Sequence, residues 1–320
     1  MLRRIPAALA VLGLSAVALV GCSSTGGAPA ACERPDAAST ALGLIAPTGE
    51  VGSPALTIKD PVHVSSTAFE DVTVGDGPAV VSDAQDVMFS VAIANGVTGE
   101  TLIASGTDVR PVSGWMEHYA GLADMMRCAT EGSRIVGAIP FDGVSAEAAS
   151  SMKLTEGQSL AVVLDLQKVY LAAADGAPQY NDRPGMPSVV LAPDGTPGII
   201  VPDAEPPADL AVEVLKRGDG PAVTDTDSIR VQYTGVNWAD RTVFDSTWEK
   251  GASAAVTLDG VVPGFAQALK GATVGSQILA VIPPDLGYGD EGTGSIPGGA
   301  TLVFVIDVLG VDAPAAAPTE

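Results

Sequence analysis

The side chains most able to do chemistry lie in residues 231–246, which read VQYTGVNWADRTVFDS. Side chains alternate between the two faces of a β-strand, so the pattern predicts that Tyr233 points towards the core. A short polar connection follows and returns the chain to Phe244 and Asp245 in a predicted hairpin. A carboxylate beside apolar residues needs a hydrogen-bond partner, and the Tyr233 hydroxyl is one candidate.

Aromatic residues are scarce, at 4% of the chain, yet five of them fall between Tyr233 and Phe265. They are Tyr233, Trp238, Phe244, Trp248 and Phe265. This concentration predicts either an aromatic binding pocket or ordinary core packing, and composition alone leaves both open.

The formal net charge of −22 argues against a nucleic-acid partner and against electrostatic adhesion to anionic lipid, since both targets are negatively charged. At 320 residues with 47% hydrophobic content, the chain is long enough for two domains with their own cores.

The N-terminus has the layout of an export signal, with Arg3 and Arg4 followed by an apolar run over residues 7–20. The sequence Leu-Val-Gly-Cys at 19–22 resembles a bacterial lipobox, which predicts cleavage after residue 21 and lipid attachment at Cys22. The predicted location is therefore extracytoplasmic, with the protein anchored to the cell membrane by its N-terminal lipid. A plain secretory signal or an uncleaved anchor is the alternative.

Two further cysteines, Cys32 and Cys128, are most simply interpreted as one disulfide in an exported protein. Closing that loop would stabilise the fold by roughly 4 to 5 kcal/mol. Two free thiols are the alternative. No metal site is expected, because the two histidines, His63 and His118, and the cysteines lack ligand spacing.

An internal repeat organises the chain. The sequence GDGPAV occurs at residues 75–80 and again, 143 positions later, at 218–223. Residues 129–140 match 272–283 at the same spacing, and LAVVLDL at 160 aligns with LVFVIDV at 302 one residue out of step. A shared spacing over this length predicts two copies of one domain.

Each copy predicts an α+β fold in which a curved antiparallel β-sheet wraps around one short α-helix. In the second copy that helix is predicted to begin at Pro263, to bury Phe265 and Leu269, and to end at Gly271. The predicted organisation is a signal peptide (1–21), a disordered tether (22–49), a first domain (50–173), a proline-rich linker with short strands (174–208), a second domain (209–312) and a disordered tail (313–320).

The second copy contains the motifs GDGPAV, VQYTG, VFDST, VVPGF, PPDLGYG and IPGGATLVFVIDV. With these motifs together, it resembles the FKBP-type peptidyl-prolyl cis-trans isomerases over residues 209–311. The resemblance implies five catalytic residues, Tyr233, Phe244, Asp245, Phe265 and Tyr288. It also implies four substrate-binding residues, Val261, Val262, Ile296 and Phe304.

The function that this resemblance implies is isomerisation of X-Pro bonds, without metal or cofactor, to assist the folding of exported proteins. Implied partners are proline-containing segments of unfolded proteins and macrolide inhibitors. This sequence departs from the family at Phe265, where tryptophan is common, at Ala254, where an aromatic is usual, and in the short acidic loop after Tyr288. Ala254 and the changed loop motivate the alternative of a non-catalytic peptide-binding or chaperone-like envelope lipoprotein.

The first copy lacks the residues that this site needs. At the spacing of 143, the five catalytic positions correspond to Ser90, Thr101, Leu102, Leu122 and Ser145. With its aromatics and its acid replaced, the first domain is expected to keep the fold and lose the pocket.

Overall fold

The computed structural model describes residues 32–312, apart from the side chains of residues 105–108. The predicted signal peptide, the lipid attachment at Cys22 and the tail at 313–320 lie outside the described residues. Within the described range, no helix has the length and apolar character needed to cross a membrane. Cys32 and Cys128 are both in the disulfide form.

The first half of the chain forms a five-stranded antiparallel sheet with short helices and a separate pair of strands. Its strands are β1 (Ile45–Thr48), β2 (Ala55–Ile58), β3 (Ala68–Thr73), β4 (Asp86–Asn95), β5 (Thr101–Pro111), β6 (Arg134–Pro140) and β7 (Ser159–Val169), and its α-helices are α1 (Val112–Met116), α2 (Ala120–Met126) and α3 (Ala146–Ser151). The sheet order is β3-β6-β7-β4-β5, and β1 pairs only with β2.

The second half forms a seven-stranded antiparallel sheet and a separate pair of strands. Its strands are β8 (Ala177–Pro178), β9 (Ser188–Leu191), β10 (Pro197–Ile200), β11 (Ala211–Arg217), β12 (Ser228–Asn237), β13 (Val243–Ser246), β14 (Ala254–Val256), β15 (Gln277–Ile282) and β16 (Leu302–Asp312), and its α-helices are α4 (Thr247–Lys250) and α5 (Pro263–Leu269). The order is β13-β12-β16-β15-β11-β8, with β14 also pairing with β12, and β9 pairs only with β10. Short 3₁₀ helices lie at Thr40–Leu44, Phe141–Gly143 and Pro284–Leu286.

The α+β prediction is confirmed at the level of antiparallel sheets with few helices, but the expectation of one helix in each half is wrong. Helices α1, α3 and α4 are additional short helices, and local capping stabilises α3 and α4. The Ser145 side chain accepts a hydrogen bond from the Ala148 amide, and the Ser246 side chain accepts one from Glu249. Such caps do not depend on the amphipathic periodicity from which a longer helix is predicted.

Several elements of the two halves recur 143 positions apart. Strand β6 is matched by β15 and helix α2 by α5. The hydrogen bonds that hold the Gly-Asp-Gly-Pro turns recur as well. The Thr130 hydroxyl donates to the Gly75 carbonyl over 2.7 Å, and the Thr273 hydroxyl donates to the Gly218 carbonyl over 2.6 Å.

The strand register corrects the alignment of the two copies by one residue. Strand β7 places Asp165 opposite Ser90, and β16 places Asp307 opposite Gln232, so β4 matches β12 at a spacing of 142. The structural counterpart of Tyr233 is therefore Val91 and not Ser90. The reason is one extra residue in the turn that follows Val80. Strands β4 and β12 are therefore 142 residues apart, whereas the Gly-Asp-Gly-Pro turns before them and the helices after them are 143 residues apart.

Each sheet buries both of its faces. The inner face packs against α2 or α5, and the outer face is covered by the strand pair that precedes the sheet. Part of the predicted disordered tether is consequently ordered, because Leu42 and Ile45 are buried against Val136 and Ala161 on the outer face of the first sheet. Their burial fixes the 3₁₀ helix and β1.

Candidate active site

The β12–β13 hairpin positions the first part of the site. Gly235 lies opposite Asp245, and Tyr233 packs in the core of the second half, on the face that the alternation predicts. Gly235 has to lack a side chain here, because a Cβ atom would lie 2.6 Å from the Phe244 ring and 2.9 Å from the Phe304 ring. The hairpin therefore leaves space that aromatic rings fill.

Helix α5 supplies Phe265. Pro263 occupies the first turn, where its missing N–H costs nothing, and the chain leaves the helix through Gly271 at a positive φ of 76°. The helix lies close to β15, since a Cβ atom at Gly264 would be 2.4 Å from the Ile282 side chain. This close approach holds Phe265 against the aromatic residues of the sheet.

Three aromatic rings pack edge to face around Phe304. Its centroid lies 5.4 Å from Phe244, 5.1 Å from Phe265 and 5.9 Å from Tyr233, and Tyr233 lies 5.8 Å from Phe265. Edge-to-face pairs are each worth about 0.5–1.5 kcal/mol beyond the apolar area that they bury. The cluster is therefore a firm apolar floor.

This floor is the base of a cavity of about 540 Å³. The structure brings all nine predicted site residues to its lining: Tyr233, Phe244, Asp245, Phe265, Tyr288, Val261, Val262, Ile296 and Phe304. Sequence reasoning missed the others, which are Val256, Asp259, Gly260, Thr293, Gly294 and Ser295. Their positions just before Val261 and between Tyr288 and Ile296 were the available signal, but none is aromatic.

Asp245 links two neighbouring side chains. The Tyr233 hydroxyl donates to Asp245 Oδ2 over 2.7 Å, and Lys250 Nζ donates to Oδ1 over 2.5 Å. Burial and the adjacent carboxylate raise the pKa of Tyr233 well above its usual value. Burial also raises the pKa of Asp245, but the hydrogen bonds from Lys250 and Tyr233 outweigh it and lower that pKa below its usual value. At neutral pH the pair is a neutral phenol bound to a carboxylate.

The remaining predicted features lie at the mouth and wall of the cavity. Tyr288 is 39% exposed and the following loop is closed by a bridge between Thr293 and Ile296. Ala254, on β14, pairs with Val231 of β12 and does not line the cavity. Val256, two residues further along β14, does line it. An aliphatic side chain thus forms the wall where the resemblance implied an aromatic one. Within residues 32–312, no group of three or more His, Cys, Asp or Glu side chains is arranged to hold a metal ion.

Comparison with known proteins identifies this half of the chain. Residues 220–309 match the family described as FKBP-type peptidyl-prolyl cis-trans isomerase. The FK506-binding protein of Streptomyces anulatus is 37% identical over 119 residues, which are 36% of this chain and 96% of that protein. FkpA of Escherichia coli K12, an FKBP-type peptidyl-prolyl cis-trans isomerase, is 40% identical over 102 residues, which are 32% of this chain and 37% of FkpA.

Among solved structures, the crystal structure of FkpA from Escherichia coli matches 42% of this chain and 54% of its own, with 34% identity and a TM-score of 0.33. The Streptomyces protein is matched over almost its whole length at an identity that places the two in one family. The chain therefore belongs to the FKBP-type peptidyl-prolyl cis-trans isomerases.

Proposed function

We propose that this protein accelerates rotation about X-Pro bonds in unfolded exported proteins, and that the cavity of the second half is the catalytic site. The observation that carries the proposal is a firm aromatic floor beneath a cavity of about 540 Å³, with the Tyr233 hydroxyl held by Asp245 at its side. A proline ring is apolar and compact, and such a floor binds it by hydrophobic contact.

The chemistry requires no bond to break. Amide resonance sets a barrier of about 18–20 kcal/mol, and the twisted amide has lost that resonance and is less polar than the planar form. An apolar cavity that strips water from the amide therefore favours the twisted form over the planar one. Enzyme-like turnover requires a barrier lower by roughly 3 to 7 kcal/mol.

The roles of the side chains follow from their places. Phe265, at the base of the cavity, lies beneath the proline ring. Tyr288, at the mouth, donates its hydroxyl to a carbonyl oxygen of the bound segment. Asp245 holds Tyr233 in one orientation, and neither group titrates near neutral pH because the tyrosine pKa is raised and the aspartate pKa is lowered. Proton transfer has no part in the reaction.

The first half, residues 50–173, is proposed to be an FKBP-like module without catalytic activity. Its sheet has the strand order of the second sheet, but register and spacing put Val91, Ile103 and Leu122 where the second half has Tyr233, Asp245 and Phe265. An aliphatic core occupies the place of the cavity floor.

Export and lipid attachment at Cys22 are proposed from the leader sequence. The disulfide form of Cys32 and Cys128 supports an oxidising compartment. The mass of the mature N-terminus, measured for the wild type and for Cys22→Ser, tests this part of the proposal. Macrolides of the kind bound by the Streptomyces relative are proposed to compete with peptide for the cavity.

The experiment that tests the function measures isomerisation of a short X-Pro peptide and proline-limited refolding of a denatured protein. The variants are Phe265→Leu, which copies the equivalent residue of the first half, and Asp245→Asn, with Asp225→Asn outside the cavity as the control. Wild type and control are expected to accelerate both reactions, and the double variant Phe265→Leu/Asp245→Asn to accelerate neither. Full activity in the double variant would locate catalysis elsewhere.

A second candidate function is peptide binding without useful turnover. Val256 stands where an aromatic side chain would narrow the cavity, so that side of the cavity is wider. The wider cavity weakens binding of the twisted amide more than binding of an extended peptide. Binding of a proline peptide with no acceleration by the folded wild type would select this function.

A further inference from the structure

The charges that line the cavity are all negative. Asp245 and Asp259 are the only ionisable acids among the lining residues, and no lysine or arginine lines it. Asp245 is already engaged, because Tyr233 binds one of its oxygens and Lys250 binds the other. Asp259 is solvent-exposed, and within the described residues its carboxylate has no ion pair or hydrogen bond.

The surroundings reinforce this sign of charge. Residues 209–312 contain 14 acidic and 6 basic side chains, and no lysine or arginine follows Lys270. The segment that carries Tyr288 also carries Asp285, Asp290 and Glu291, all exposed. A cleft lined by one sign of charge raises the local concentration of oppositely charged ligands.

We propose that Asp259 determines substrate specificity by binding a lysine or arginine side chain next to the proline. On the proposed function, the proline ring occupies the aromatic floor and the flanking side chain extends along the cavity wall to Asp259. Asp245 is less suited to this purpose, since its charge is already paired with Lys250 and its second oxygen accepts from Tyr233. The preferred substrates are therefore X-Pro segments with an adjacent cation.

The expected preference is modest because Asp259 is exposed. Solvent-exposed ion pairs correspond to about a 2- to 5-fold change in an equilibrium constant. Salt at about 0.5 M shortens the screening length to a few ångströms and removes most of this preference.

The test uses two peptide series in which Lys, Leu or Glu stands immediately before or immediately after the proline. For each peptide, kcat/KM is measured with the wild type, with Asp259→Asn, and with Asp209→Asn, an exposed acid of the same half outside the cavity. The wild type and Asp209→Asn are expected to prefer the Lys peptide over the Glu peptide by about 4- to 25-fold. The Lys peptide gains one attractive pair with Asp259 and the Glu peptide suffers one repulsive pair, so the ratio of the two kcat/KM values is the square of the effect of a single pair. Asp259→Asn is expected to reduce this ratio at least about 2-fold.

An unchanged Lys/Glu ratio in Asp259→Asn overturns the inference, as does a wild-type ratio near one. Absence of acceleration with every peptide would instead refute the proposed catalytic function. The inference is then decided by the affinities of the same peptides, labelled with a fluorophore and measured by anisotropy. If Asp259 selects the cation, the ratio of the affinities for the Lys and Glu peptides falls in Asp259→Asn and on addition of salt. An unchanged ratio rejects the role proposed for Asp259.

Discussion

Asp165 and Asp307 occupy the same position in the two sheets, but only Asp165 is paired with an arginine. Each lies in an interior strand, Asp165 in β7 and Asp307 in β16. Each accepts a hydrogen bond from the backbone of a preceding segment, from Gly52 to Asp165 and from Ala174 to Asp307. Arg134 binds both oxygens of Asp165, whereas the neutral Gln277 binds Asp307 over 2.8 Å. The second half therefore buries a carboxylate without a directly bonded cation.

Stability is expected to decline as the pH rises because of Asp307. Burial raises the pKa of Asp307 to about 6, against about 3.9 in an unfolded chain. Between these values the folded state binds more protons than the unfolded state, so the free energy of unfolding falls as the pH rises from about 4 to 6, by roughly 2–3 kcal/mol. Urea unfolding at a series of pH values measures the slope.

Asp307→Asn should remove that slope and leave the free energy of unfolding at pH 7 within about 1 kcal/mol of the wild type, because the Gln277 amide can rotate to accept a hydrogen bond. The matched variant, Asp165→Asn, should instead lose stability, since it leaves the Arg134 guanidinium without its carboxylate partner. An equal slope in the wild type and in Asp307→Asn contradicts the assignment.

Asp86 and Arg230 join the two halves through a buried ion pair. Their side chains are 2% and 14% exposed, with 3.6 Å between Asp86 Oδ2 and Arg230 Nη1, and Ser253 also donates to Asp86. The Arg230 guanidinium lies 5.1 Å from the centre of the Tyr170 ring. Because Arg230 lies on β12, three residues before Tyr233, this contact ties the first half to the strand that carries the site.

Arg230→Gln is expected to lower the free energy of unfolding by roughly 3–5 kcal/mol, because it leaves Asp86 buried without a cation. Adding Asp86→Asn should restore part of the loss. The exposed pair of Lys270 and Asp225 is the matched control, and breaking it should cost less than about 1 kcal/mol. Equal costs for the two pairs, measured by urea unfolding, would mean that Asp86 and Arg230 are not coupled.

Sequence patterns were sufficient for the features that local rules determine. The period-two alternation predicted the face of Tyr233, and the proline and glycine at the ends of α5 predicted its boundaries. The nine proposed site residues come from five separate segments of the chain. Only the resemblance to a family, and no periodicity, could predict that they meet around one cavity.

Tertiary burial explains the features that the sequence did not predict. Leu42 and Ile45 lie in a stretch rich in small and polar residues and become ordered only because the outer face of the first sheet covers them. The structural counterpart of Tyr233 is Val91 and not Ser90 because the turn after Val80 has one extra residue. The constant spacing of 143 on either side of that turn gave no sign of it in the sequence. Asp259 lies two residues before the predicted site residue Val261, but only the fold shows that its side chain lines the cavity.

Gly235→Ala is expected to impair catalysis. The added methyl group would lie 2.6 Å from the Phe244 ring, so the ring has to move towards the cavity that it lines. Overpacking of this kind costs about 1–3 kcal/mol, and the displaced ring should lower kcat/KM at least about 5-fold. Gly198→Ala is the control, because its nearest neighbour, the Val190 carbonyl, lies at an ordinary 3.5 Å. Activity in Gly235→Ala equal to the control would show that Phe244 does not shape the site.

Lys250→Gln is expected to shift the acid limb of the pH–activity profile upwards. Lys250 makes the strongest contribution that lowers the pKa of Asp245, so without it the pKa of Asp245 is higher than in the wild type. Asp245 then becomes protonated at a higher pH as the solution is acidified, and it ceases to hold Tyr233 as a carboxylate. Measurements of kcat/KM from about pH 3.5 to 7 should show the loss of activity beginning at a higher pH than in the wild type.

Lys270→Gln, whose lysine pairs with Asp225 outside the cavity, should keep the wild-type profile. An unshifted acid limb in Lys250→Gln would mean that the charge of Asp245 does not matter to the reaction, and that Tyr233 is oriented by packing against Phe265 and Phe304 alone.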